Sequence, residues 1–198
     1  MIPRLESLEP IQSEAAAFLQ ALAVSGFEGE IAFDEATRAV LSTDNSIYQI
    51  TPQAVVFPKH HDDVVQLTRT ANEYPGVTLF PRGGGTGTNA QSLGDGVIVD
   101  TSRHMNQILE INVEARWARV QCGVVKDHLN REIRAHGLFF APDLSTSNRA
   151  TIGGMISTDA SGQGSVKYGK TRDHVLEMQS VLLSGETFHS RVVSDQEL

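Results

Sequence analysis

The chain has 198 residues, a hydrophobic fraction of 40% and a charged fraction of 20%, the balance of a globular chain long enough for one sizeable core or two small ones. Its formal charge of −8, with Lys and Arg scattered, excludes a long-range attraction for nucleic acid or anionic lipid, and no stretch approaches the roughly 18 apolar residues of a membrane span. Met1-Ile2-Pro3-Arg4-Leu5-Glu6 holds no apolar leader, and the single Cys122 excludes an internal disulfide or a thiolate metal centre, so a cytoplasmic protein is expected.

In chain order, Ile11, Ala15, Phe18, Leu19 and Leu22 recur at helical spacing and Gly26 ends the pattern, which predicts a packing helix within an N-terminal extension, residues 1–43. Ala54-Val55-Val56-Phe57 reads as a buried strand broken by Pro58. Asp62 and Asp63 then open a helix carrying Val64, Leu67 and Ala71 on one face, and Val77-Thr78-Leu79-Phe80 returns as a strand. This is a βαβ unit, expected to be parallel and right-handed. Gly96-Val97-Ile98-Val99-Asp100 is one more short strand, closing a first subdomain at 44–100. In residues 101–198, Ala118, Val120 and Cys122 alternate with Trp117, Arg119 and Gln121, so that segments 108–113 and 116–122 form a half-buried hairpin around Glu114-Ala115. Val125, Leu129 and Ile133 stripe a helix that Gly137 stops, and Ser184-Gly185-Glu186 turns between Val181-Leu182-Leu183 and Thr187-Phe188. The second subdomain is therefore expected to be a larger antiparallel sheet with helices on one face, and the fold class α+β.

Eleven of the seventeen glycines fall in residues 83–96 and 153–169. Glycine costs about 0.5–1 kcal/mol more than alanine in a regular element, so such clusters mark tight turns or close approaches. The first, Pro81-Arg82-Gly83-Gly84-Gly85-Thr86-Gly87-Thr88-Asn89-Ala90, lacks the Lys of a Walker A loop. Gly85, Gly87 and Ala90 match a G-x-G-x-x-A pattern, yet only five residues separate Ala90 from the next strand, too few for the helix which that dinucleotide fold needs. What remains is a loop whose bare N–H groups can form a nest for a pyrophosphate, with Thr86 and Thr88 as further donors; the alternative is a plain glycine turn. The second window, Ala141-Pro142-Asp143-Leu144 and then Thr151-Ile152-Gly153-Gly154-Met155-Ile156-Ser157-Thr158-Asp159-Ala160-Ser161-Gly162, is small and polar enough to lie flat against a planar ligand, or to be a loop-rich surface.

Together the two windows, with Thr43-Asp44-Asn45-Ser46-Ile47-Tyr48, Val56-Phe57-Pro58, Tyr168-Gly169 and Asp173-His174-Val175, carry a resemblance to the FAD-linked oxidase family, whose fold is named after vanillyl-alcohol oxidase and p-cresol methylhydroxylase. Within it, the chain is most similar to the D-lactate, glycolate and D-2-hydroxyglutarate dehydrogenases. The resemblance implies a two-subdomain FAD-binding domain. Arg82, Gly83, Gly84, Gly85, Thr86, Gly87 and Thr88 would cradle the pyrophosphate. Pro142, Asp143, Thr151, Ile152, Gly153, Gly154, Ser157, Thr158, Ser161, Gly162 and Gly169 would line pyrophosphate and flavin. Members with flavin attached to histidine carry that residue where Thr86 stands, so noncovalent FAD is implied. So is oxidation of a small-molecule D-2-hydroxy acid to the 2-oxo acid, with the electron acceptor left open. Other members remain as alternatives: a reductase of the UDP-N-acetylenolpyruvoylglucosamine reductase type, or a flavin-carrying electron-transfer subunit. The family's substrate cap and last FAD strand follow the matching region, so the chain is expected to be incomplete at its C-terminal side.

No residue is assigned as a catalytic base or a metal ligand. His60-His61 reads as an exposed helix start, since adjacent helical residues diverge. His174 beside Asp173 reads as structural, Cys122 as an inert buried thiol, and Lys167, Lys170 and Arg172 as a solvated basic turn. Arg82 reads the same way, because a nest requires only backbone donors.

Overall fold

The computed structural model describes residues 10–193; Met1-Ile2-Pro3-Arg4-Leu5-Glu6 and the ends of the 1–43 and 101–198 segments lie outside the described residues. Helix α1 (Ser13–Val24) buries Ala15, Phe18, Leu19 and Leu22, the stripe the spacing predicts, and the chain leaves it through Gly26 at φ 94°. Strand β1 (Glu30–Ala32) and helix α2 (Glu35–Val40) follow. Three residues are too few for a periodicity, so β1 has no signal in the sequence. The start of α2 does: the Asp34 carboxylate caps it, accepting from the Thr37 N–H at 2.9 Å.

Strand β2 (Ala54–Phe57) is buried along its whole length. Helix α3 (His61–Asn72) is capped by His60, and it buries Asp63, whose carboxylate accepts from the N–H groups of Glu28 at 2.7 Å and Lys59 at 2.8 Å. Strand β3 (Leu79–Arg82) begins two residues later than the apolar run suggests, because Val77 donates its N–H to Tyr74 and closes a turn. It also continues through Pro81, which an edge strand tolerates. Strand β4 (Val97–Asp100) is fully buried.

The sheet order is β1-β2-β4-β3, with β4 parallel to both neighbours and β1 antiparallel to β2. Thus β4 inserts between the two strands of the βαβ unit, in register Ala54 to Val97 and Leu79 to Val97. Val56, Val97 and Val99 pack under α1 and α3 against Phe18, Leu22 and Leu67, while Val55, Phe57 and Ile98 fill the opposite face with Leu41 and Phe80. Burying each such side chain is worth about 1.5–3 kcal/mol. Residues counted with the N-terminal extension therefore share a sheet and a core with 44–100. The connection from β3 to β4, residues 83–96, contains no helix, whereas the rejected dinucleotide pattern would have required one.

Beyond Asp100, β5 (Ile108–Asn112) and β6 (Trp117–Val120) form the expected hairpin, with Arg116 at φ 58° in its turn. Helix α4 (Lys126–Arg134) buries Leu129 and Ile133, and Gly137, at φ 69°, follows it. Its third inward residue is Lys126, with Val125 as the N-cap. The second glycine window is not a flat loop: residues 152–157 form α5 (Ile152–Ser157), because the buried Thr151 caps its start. Short helix α6 (Ser165–Tyr168) and a 3-10 turn at Thr171–His174 follow. A last hairpin, β7 (Met178–Val181) with β8 (Thr187–Ser190), turns through Gly185 at φ 79°. The antiparallel pairing of this half thus takes the form of two separate two-stranded hairpins among the described residues. Its core is Val124, Leu129, Ile133, Ala150, Ile152 and Met155, packed under Ile108, Ile111, Ala118 and Val120 of the first hairpin.

Candidate functional site

Arg82 ends β3, and the chain then runs through Gly83, Gly84 and Gly85. A Cβ on Gly83 would collide with the Thr151 hydroxyl, and one on Gly84 with the Arg149 carbonyl oxygen. The two glycine windows, some sixty residues apart in sequence, are therefore pressed together, with the first resting on the strip 149–151. Gly85 is buried at φ 61°, with the Arg82 guanidinium where a side chain would stand. Gly87 is less constrained, since a Cβ there would meet only the flexible end of Gln91. Among the described residues, the N–H groups of Gly84, Gly85, Thr86, Gly87 and Thr88 have no acceptor, and neither the Thr86 nor the Thr88 hydroxyl has a partner. Five successive unengaged N–H groups, three of them on glycines, fit an anion of pyrophosphate type.

Arg82 itself points elsewhere. Only 9% exposed, it donates to the carbonyls of Thr43 at 2.8 Å, Ser92 at 3.4 Å and Leu41 at 3.5 Å. Burial pushes its pKa below the usual arginine value, while Asp100 and Asp44 work in the opposite direction. Asp44 accepts from the Ser46 N–H at 2.8 Å and the Ser92 hydroxyl at 3.0 Å. Burial opposes its charge, but these hydrogen bonds and Arg82 hold its carboxyl below the ordinary range.

The second window supplies a floor more than a set of donors. The N–H groups of Ile152 and Gly153 are engaged by the carbonyls of Val124 and Cys122, both at 2.8 Å, and that of Gly154 by the Thr151 hydroxyl at 3.3 Å. Ile152 is a core residue, and a Cβ on Gly153 would strike Cys122. Cys122 is half-buried, less enclosed than expected, and desolvation still raises its thiol pKa. The exposed Ser157 and Thr158 donate their hydroxyls to the carbonyls of Gly153 and Gly154 at 2.9 and 3.1 Å, leaving oxygen lone pairs outward. Gly162 lies tight on the Asp143 carbonyl and donates to Ser165 at 2.9 Å, with Ser161 exposed beside it. Gly169, at φ 85°, is the turn between α6 and Thr171–His174.

Pro142 is buried; the Asp143 carboxylate, 56% exposed, accepts from Lys126 Nζ at 3.1 Å. The lysine side chain is only 5% exposed, and the hydrogen bond from it holds the Asp143 carboxyl below its ordinary value of 3.8. Lys126 went unnoticed in the sequence, although its phase three residues before Leu129 places it on the inner face of α4. Asp44 and Ser92 were equally hidden, because nothing local marks a carboxylate that serves a loop from 48 residues away.

The histidines fall outside this arrangement. His60 accepts the Asp63 N–H at 3.3 Å, His61 meets Thr187 at 3.0 Å, and His174 bonds the Tyr168 carbonyl at 2.8 Å with its ring edge-on to Phe140. Among the described residues, no three His, Cys, Asp or Glu are grouped to hold a metal. An open depression of about 650 Å³ between α3 and the β7–β8 hairpin lies away from both glycine windows.

Comparison with known proteins adds three findings. A family model described as "FAD binding domain" matches residues 52–191. A D-2-hydroxyglutarate dehydrogenase of Pseudomonas putida (strain KT2440) is 62% identical over all of this chain, which covers 20% of that protein; the chain therefore spans about a fifth of that relative's length. Among solved structures, alkyldihydroxyacetonephosphate synthase superposes with a TM-score of 0.83 at 22% identity, over 99% of this chain and 39% of that one. p-Cresol methylhydroxylase with substrate bound superposes at 0.77 with 20% identity, over 91% and 36%. At such identities the likeness is one of fold, and it gives an α+β, p-cresol methylhydroxylase-type architecture.

Proposed function

The chain belongs to the FAD binding domain family, and from that premise we propose that it is the FAD-binding part of a flavoprotein dehydrogenase that oxidises a D-2-hydroxy acid to the 2-oxo acid. The observation carrying this reading is the run of unengaged N–H groups from Gly84 to Thr88, laid on the 149–151 strip. Gly84, Gly85, Thr86, Gly87 and Thr88 hold the pyrophosphate. Gly83, Thr151, Ile152, Gly153 and Gly154 brace them from beneath. Ser157, Thr158, Ser161, Gly162, Pro142, Asp143 and Gly169 form the adjoining rim.

FAD, held noncovalently, supplies the hydride acceptor for the alcohol carbon; this chain's residues bind and orient it and exclude water beneath the loop. The substrate assignment, with D-2-hydroxyglutarate foremost, is supported by the 62% identity to the P. putida enzyme. No residue of this chain is assigned as the base. A cytoplasmic location belongs to the same proposal, supported by the lone cysteine; among the described residues no helix is long and apolar enough to cross a membrane.

The test is a visible spectrum of the full-length protein, its flavin then released by acid precipitation, followed by anaerobic titration with D-2-hydroxyglutarate, D-lactate and glycolate. Bound flavin that enters the acid supernatant and is bleached by one of these acids is the expected result. A colourless full-length protein that takes up no added FAD would sink the proposal.

A further inference from the structure

Three stretches of chain meet at the Arg82 guanidinium. Its Nη2 holds the Thr43 carbonyl, its Nη1 reaches the carbonyls of Ser92 and Leu41, and its plane occupies the space where Gly85 has no side chain. Asp44 completes the ring by accepting from Ser92 Oγ and the Ser46 N–H, and the Asn45 N–H donates to the Gly85 carbonyl at 3.0 Å. The glycine loop is thereby held at its start by Arg82, at its middle by Gly85 and at its end by Ser92. With Nη1 and Nη2 on carbonyls and only 9% of the residue exposed, the guanidinium is turned onto the loop's own backbone and away from solvent.

We propose that Arg82 and Asp44 are positioning residues for the cofactor's pyrophosphate: they set the loop in which the N–H groups from Gly84 to Thr88 converge, and neither touches the ligand. This rests on the FAD-binding reading above. It inverts the obvious assignment of an arginine in a phosphate loop, and charge alone separates the two. An arginine that bound phosphate directly would be largely replaced by lysine, and removing the nearby negative charge of Asp44 would tighten an anionic ligand. An arginine that spans carbonyls needs its planar fork, which an ammonium lacks, and Asp44 then strengthens binding despite its sign.

The experiment uses full-length apoprotein, with Kd for FAD and for ADP measured across a salt series, and with the apoprotein's melting midpoint as control. Arg82→Lys and Asp44→Asn are each expected to raise both Kd values roughly 10- to 100-fold, the scale of losing a hydrogen bond to a charged group. The salt dependence should stay that of the wild type. Asp44→Asn keeps the side chain's shape and serves if Arg82→Lys does not fold; its melting midpoint should hold within a few degrees. Near-normal affinity in Arg82→Lys, or tighter FAD in Asp44→Asn, overturns the inference and leaves the FAD-binding reading standing. A lowered midpoint with unchanged affinity overturns it as well. Wild-type protein that binds no FAD removes the functional reading and this inference together.

Discussion

Gly84 and Gly87 lie three residues apart in one loop and have opposite surroundings. Behind Gly84 stands the backbone of Arg149, which cannot yield; behind Gly87 stands the end of the Gln91 side chain, which can. Gly84→Ala is therefore expected to destabilise the fold by about 1–3 kcal/mol, as overpacking does, read as a lowered urea midpoint of the apoprotein. Gly87→Asp should leave that midpoint nearly unchanged while raising the Kd for FAD by at least about tenfold, since it sets a carboxylate beside the proposed pyrophosphate. Unaltered FAD affinity in Gly87→Asp would remove Gly87 from the site. Composition marks both positions as glycine in a cluster. Which one serves the fold and which faces the ligand depends on contacts that lie elsewhere in the chain.

At the scale of elements, α5 links the two windows. Thr151 caps it, and the same hydroxyl supports Gly83. Thr151→Ala should cost about 1 kcal/mol as a lost cap, measured by urea unfolding, and should weaken FAD binding along with it. A second link is Lys126 to Asp143, joining α4 to the segment before α5. The Asp143 carboxyl is held below 3.8 by that hydrogen bond. A lowered folded-state value means stabilisation present above the unfolded value and lost as pH falls through the folded one. Asp143→Asn should therefore unfold more easily than wild type at pH 7, and the gap should close as pH falls below 3.8 and through the lower folded-state value. A difference that persists undiminished in acid would show that the pair's charge is not involved. The helix stripes of α1, α3 and α4 and both hairpins were legible because their periods lie within a few residues. β1 was too short to leave a period, and α5 was obscured by its glycines, which lower helix propensity by about 1 kcal/mol each and so read as loop.

For the whole molecule, the half of the chain built on the four-stranded sheet touches the half built around the first hairpin where Gly83 and Gly84 rest on residues 149–151, beside Ala150 of the second half's core. A ligand that binds that seam in the native state alone stabilises both halves at once. FAD at about 100 times its Kd should add about 2.7 kcal/mol, seen as one cooperative transition moved to higher temperature, and absence of any shift would count against binding. Apolar period and glycine density are local properties, so residue order already carries the α+β class, the buried strands at 54–57 and 97–100, the lack of a helix after the first glycine loop, and the two glycine windows. The chain's resemblance to the FAD-linked oxidases carried the cofactor. Long-range packing sets the rest: β4 slips between β2 and β3, Arg82 turns inward to three carbonyls, and the N–H groups of Ile152 and Gly153 are engaged by Val124 and Cys122 while, among the described residues, those from Gly84 to Thr88 are not. Whether a donor is free depends on which distant acceptor the fold brings within about 3 Å, and spacing along the chain carries no record of that.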